Sequence, residues 1–209
     1  MLGKGKNMFH YKYDITAVGY FLRGISALNS FNNYKIPNFI LYVAFEFRCS
    51  VERLLFEYLV MMKLDSQMSK SLEKLYHATK LKKTVLNIEP EFNEKIKFIN
   101  FFLSTLNSNV FIYELDLDII ETYYGKLGNY LHSQKRPEKT SENPNWWKEL
   151  ITFLIEIRDY LGSILENPIG TFKMNERGLE LFGAYKSGDK SDEEIAEMIR
   201  AEFNNLTST

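Results

Sequence analysis

Of the three histidines in the chain, His132 sits in a pattern that can support chemistry. In Glu121-Thr-Tyr-Tyr-Gly-Lys-Leu-Gly-Asn-Tyr-Leu-His132, the residues Glu121, Gly125, Gly128 and His132 are spaced four, three and four apart. That spacing makes one face of an α-helix. A glycine inside a helix is about 1 kcal/mol less favourable than alanine. Two on one face therefore suggest that a backbone or a ligand comes close to it. Asn129 lies on the adjacent stripe, and Lys126 is two residues before Gly128. Imidazole titrates near neutrality, so His132 is suited to general acid or base work. A plainer reading stays open: a histidine in the last turn of a helix, stabilised by the helix dipole when charged.

A second chemistry-bearing stretch lies earlier, in residues 39–63. Projected at about 100° per residue, Glu46, Ser50, Arg53 and Glu57 share one stripe, and Arg48 and Glu52 share another nearly opposite. Between them lie a wide apolar face (Val43, Phe47, Val51, Leu54, Leu55, Tyr58) and a narrow one (Phe45, Phe56, Val60). A helix at the edge of a fold needs only one polar stripe, so two apolar faces imply contact on two sides. The charges read in two ways. They form an Arg48–Glu52 pair and a solvated Glu46–Arg53–Glu57 face, each pair contributing a few tenths of a kcal/mol. Or the helix lends a carboxylate and an arginine to a site.

The elements that must position these residues are helical. Apolar positions recurring at three and four residues predict helices at about 14–30, 37–63, 66–85, 90–106, 116–134 and 146–166. Pro37 suits a first helical turn, and residues 135–145 read as a polar loop containing Pro137 and Pro144. Residues 171–185, with Gly178 and Gly183, read as a short hairpin or irregular segment. Ser191-Asp-Glu-Glu194 resembles a capping box before a last helix at 192–204. The expected fold is all-α: residues 1–13 flexible, an up-and-down bundle of about five to six helices over 14–166, and a small C-terminal appendage over 167–209.

Composition narrows the function classes. Lys+Arg is 26 and Asp+Glu is 27, giving a formal net charge of -1. A protein that binds nucleic acid by global attraction is normally basic, so any such contact here must be local. Aromatics make up 15%, too many for a disordered chain. One cysteine, Cys49, excludes a disulfide framework and points to a reducing compartment. No apolar stretch approaches the roughly 20 residues that span a bilayer, so the expected location is cytoplasmic. His10, His77, His132 and Cys49 show no ligand spacing, and neither metal nor cofactor is expected. Lys70, Lys74, Lys80, Lys82 and Lys83 read as a solvated face, with an RNA-contact surface as the alternative. Trp146-Trp147 reads as core or partner contact rather than base stacking.

The pair of segments Phe45-Glu-Phe-Arg-Cys-Ser-Val-Glu-Arg-Leu-Leu-Phe-Glu-Tyr58 and Lys126-Leu-Gly-Asn-Tyr-Leu-His132 resembles the HEPN superfamily, over about residues 14–166 in helix order. The family's motif arginine is replaced, with Lys126 near its place. The resemblance implies a helical bundle, commonly dimeric, whose active members are metal-independent ribonucleases. It implies attack of an RNA 2′-hydroxyl on its own phosphate, with His132 as general acid or base. Lys126, Arg48 or Arg53 would stabilise the phosphorane, and Asn129 would bind a phosphate oxygen or orient His132. Glu46 or Glu52 would orient an arginine. The implied setting is toxin–antitoxin or antiviral defence, with RNA and a cognate antitoxin or larger assembly as partners. A catalytically silent interaction module is the alternative, and an unrelated helical scaffold a third reading. The two apolar faces and the Gly125/Gly128 groove, beside Glu121, further suggest a homodimer.

Overall fold

The computed structural model of the protein describes residues 14–62, 78–112, 114–132, 142–166 and 174–207. All regular structure in them is helical: α1 (Ala17–Tyr34), α2 (Pro37–Met62), α3 (Ala78–Ile88), α4 (Phe92–Thr105), α5 (Leu117–His132), α6 (Pro144–Leu165), α7 (Glu176–Ser187) and α8 (Asp192–Thr207). The all-α expectation holds; among the described residues six helices lie within 14–166 and two in the C-terminal segment, where one was expected. The expectations for residues 1–13, 66–77, 135–141 and 167–173 lie outside the described residues, as do His10 and His77.

Helix α2 is the centre, with α1, α3, α5 and α6 packed on it. Its wide apolar face, Val43 to Tyr58, is buried throughout. Each such side chain contributes about 1.5–3 kcal/mol when fully removed from water. The narrow face is partly covered: Phe56 and Val60 are half-buried, with Phe56 against the core, while Phe45 is 47% exposed and stacks on Tyr42 at 6.3 Å.

The Glu46–Arg53–Glu57 stripe is not a solvated face. It is the seam to α1. Glu46 is fully buried and accepts from Arg23 Nε at 3.0 Å. Ser50 Oγ donates to the Ala17 carbonyl at 2.8 Å, and Glu57 Oε1 accepts from the Ala17 N–H at 3.0 Å. The first N–H groups of a helix lack partners within it, and here a carboxylate of the next helix supplies one. Small residues on α1 allow this approach. A Cβ at Gly24 would stand 2.5 Å from Phe47 Cδ1, so glycine is required there.

Helix α4 is apolar on two sides. Phe92, Ile96 and Ile99 join the main core, where Phe92 meets Tyr58 edge-on at 5.4 Å. Phe98, Phe101 and Phe102 join a second cluster with Leu181, Phe182, Ile195 and Ile199 of α7 and α8. The C-terminal pair is thereby docked. The expected hairpin at 171–185 is helical over its described part. Asn175 caps it by accepting from the Gly178 N–H at 2.8 Å, while Leu181, Phe182 and Tyr185 give it one apolar face against α4. Those contacts outweigh the helix-weakening effect of two glycines. The capping box is present: Ser191 N–H donates to Glu194 Oε2 at 2.8 Å, and Glu194 N–H to Ser191 Oγ at 3.3 Å.

The start of α5 is held in two steps. The Asn100 side chain donates to the Ile112 carbonyl at 2.7 Å and accepts from its N–H at 2.8 Å. Asp116 Oδ1 then caps α5, accepting from the Asp118 and Ile119 N–H groups, each at 2.9 Å.

Candidate functional site

The α2–α5 junction brings part of the expected set together. Arg48 Nη2 donates to Tyr124 Oη at 2.7 Å, and its guanidinium carbon lies 4.5 Å from the Tyr124 ring centroid. Glu52 faces the same guanidinium at 3.9 Å and is hydrogen-bonded to the same phenol. The other neighbour of Arg48 is Gly128, where a Cβ would stand 3.4 Å from Arg48 Nη1. A bulky side chain at that position would displace the arginine. Burial pushes the Tyr124 phenol above its ordinary value, opposed by the hydrogen bond from Arg48. Tyr124 therefore stays protonated at neutral pH and keeps Arg48 in place. It was invisible to spacing arguments from His132, although it lies four residues before Gly128 on the stripe that meets α2.

His132 is the last residue of α5 and is exposed. It shares the face of Gly128, one helical turn further on. Among the described residues it makes no hydrogen bond, ion pair or ring contact. On the same face, three residues before Gly128, a Cβ on Gly125 would have nothing within 4 Å. A guanidinium at Gly128 and an imidazole four residues further on thus lie along one face of α5, which is open at Gly125. Such a face admits a phosphate between a charge stabiliser and a proton carrier.

The remaining expected residues point elsewhere. Lys126 is about 120° around α5 from His132, and its Nζ lies 5.2 Å from the Phe153 ring centroid on the α6 side. Asn129 is exposed and borders the same α5–α6 cleft. Arg53 pairs with Glu57 at 3.2 Å and lies over Phe56, on the α1 side of α2. Glu46 is held by Arg23, so Glu52 is the carboxylate that faces Arg48. Glu121 is tied to α3: Lys82 Nζ reaches it at 2.6 Å and Asp118 at 2.5 Å. Lys82 thus bridges two helices, whereas its stretch reads as a solvated face in the sequence. The Lys82 hydrogen bond holds the Glu121 carboxyl below its ordinary value.

Cys49 follows Arg48, yet burial and the neighbouring Glu52 and Glu46 push its thiol up to about 11. It stays a neutral thiol at pH 7 and is a poor nucleophile. Among the described residues no three His, Cys, Asp or Glu side chains cluster as metal ligands. No helix among them is long and apolar enough to cross a membrane. Comparison with protein-family models, curated proteins and solved structures finds no match for the chain.

Proposed function

We propose that the protein is a HEPN-like, metal-independent endoribonuclease whose reacting centre lies on the glycine face of α5. The observation that carries this reading is the placement of Arg48 against Gly128, one turn from His132. On this reading an arginine from α2 does the work for which Lys126 is badly aimed. His132 takes the 2′-hydroxyl proton or supplies one to the leaving oxygen. Arg48, aligned by Tyr124 and Glu52, stabilises the charge that builds on phosphorus. A second copy of the chain, meeting the first over Gly125, completes a homodimer. RNA is the substrate, and a cognate antitoxin or a larger defence assembly in the cytoplasm is the setting.

A different observation favours the second reading, a catalytically silent interaction module. Arg48 is already engaged by Tyr124 and Glu52, and Lys126 is turned toward α6. One experiment separates the two. The purified protein is incubated with RNA in EDTA, and the new ends are characterised. Cleavage leaving 2′,3′-cyclic phosphates is expected, with rates falling about 100-fold or more in His132→Ala and in Arg48→Ala. A 2′-deoxy substitution at the scissile nucleotide should block the cut. Cleavage unchanged in His132→Ala would remove this centre from the mechanism. No cleavage by the wild-type protein would favour the silent module.

A further inference from the structure

Helices α5 and α6 are held apart by aromatic side chains. Tyr123 and Tyr130, seven apart on α5, meet Trp146, Phe153 and Tyr160, likewise seven apart on α6, at centroid distances of 5.3–5.9 Å. The spacing leaves a cleft of about 740 Å³ at the Trp146 end, within the usual range of small-ligand sites. Its floor is Tyr130, Trp146 and Phe153, and its rim carries Lys126 and Lys148. Neither ammonium is ion-paired among the described residues, and both residues are exposed. Two carboxylates line the same space: Glu149, also exposed, and Glu156, which accepts from Tyr123 Oη at 2.7 Å.

This combination selects among ligand classes. A purely apolar ligand would leave the lysines idle, and a bare anion would leave the aromatic floor idle. A planar aromatic ring carrying a phosphate uses both. The ring stacks on Trp146, two ammonium groups meet the phosphate, and the Glu149 carboxylate accepts from an exocyclic amino group. Base–aromatic stacking contributes about 1–3 kcal/mol per base.

We infer that the α5–α6 cleft is a nucleotide subsite, taking one unpaired base on Trp146 and its phosphate at Lys126 and Lys148. This deepens the ribonuclease reading and rests on it for the source of the nucleotide: a single strand crossing the edge of α5 toward His132. It also gives Lys126 and Asn129 a place at the subsite rather than at the reacting centre.

The test uses tryptophan fluorescence. The full chain holds two tryptophans, so Trp147→Phe leaves Trp146 as the only reporter. Titration with AMP should quench it saturably, and inorganic phosphate at equal concentration should not. Lys126→Ala/Lys148→Ala should weaken AMP binding on the order of tenfold, with Lys148→Glu as an independent variant at one exposed position. Competition by single-stranded oligoadenylate assigns the site to a strand, and its absence assigns it to a free nucleotide. Both outcomes support the subsite. Equal quenching by phosphate, equal competition by duplex RNA, or affinity unchanged in both lysine variants would overturn it. No quenching in a protein that cleaves RNA through His132 would overturn the subsite alone. Quenching in a protein that cleaves nothing would keep the subsite and remove the ribonuclease reading.

Discussion

Alanine at three helical glycines should give opposite results. At Gly125 a new Cβ meets nothing within 4 Å. Within one chain the only effect left is intrinsic helix preference, so Gly125→Ala should stabilise the separated chain, at low protein concentration, by about 1 kcal/mol. For a domain of this size that raises Tm by about 2–4 °C. At Gly128 the Cβ would touch the end of a flexible side chain, Arg48 Nη1, at 3.4 Å. That is ordinary contact, so Gly128→Ala should also stabilise, but by less. At Gly24 the Cβ would collide with the Phe47 ring at 2.5 Å. Overpacking of that kind costs about 1–3 kcal/mol, enough to reverse the propensity gain. The expected order is therefore Gly125→Ala, Gly128→Ala, wild type, Gly24→Ala. Urea unfolding followed by circular dichroism would measure it. A Gly125→Ala protein destabilised equally at every protein concentration would refute the reasoning, because the new Cβ would then meet something within its own chain. A loss that grows with protein concentration would identify a second copy as the cause. If the glycines are kept for a ligand or a second chain, Gly125→Ala should lose RNA cleavage while gaining stability, the trade-off expected at working surfaces.

Other outcomes follow from the packing. Glu46→Ala removes the carboxylate that faces Arg23 in the α1–α2 seam and should cost about 2–4 kcal/mol, below the full buried-pair figure because the Arg23 side chain is 24% exposed and keeps its bond to the Asp14 carbonyl. A double-mutant cycle with Arg23→Ala should show strong coupling, and additive losses would refute the pairing. In acid, Glu121 and Glu91 are held below their ordinary values by hydrogen bonds from Lys82 and Lys186. Their stabilisation is complete above the unfolded carboxyl value, near pH 4.5, and is lost as pH falls through the folded values. Urea midpoints should therefore drop below about pH 4.5, and Lys82→Met should flatten that drop. Truncation after residue 166 removes α7 and α8 and uncovers Phe98, which is 3% exposed in the full chain. The shortened protein should bind a hydrophobic dye and melt earlier; an unchanged Tm without dye binding would show that α4 does not need its second face covered.

The helices were legible where apolar spacing was uninterrupted. The wide face of α2 was read residue by residue from Val43 to Tyr58, and all of it is buried. The failure at 171–185 has a local cause. Gly178 and Gly183 lower helix propensity, and the compensating partners, Phe98 and Phe101, are remote in sequence. The charged stripes show a different limit. Periodicity placed Glu46, Ser50 and Glu57 on one side of α2, but not what they would meet. Their partners are an arginine and the first peptide group of α1. At the candidate site, spacing grouped Gly125, Gly128 and His132 on one face. The family pattern grouped Lys126 with them by linear proximity, and helical phase turns it away. Tyr124, which holds Arg48, carried no signal beyond its place on the same helix.

The paired hydrogen bonds of Asn100 have a consequence for precision. A helix advances about 1.5 Å and turns about 100° for each residue of slip. If the stretch leading into α5 shortened or lengthened by a single residue, Gly128 would leave Arg48 and an ordinary side chain would take its place. Asn100 fixes the entry path and Asp116 fixes the first turn. The meeting of Gly128 with Arg48 is thus set at the far end of α5, like the indexing of a shaft from its base. A substitution there would move Gly128 off Arg48 without touching either residue.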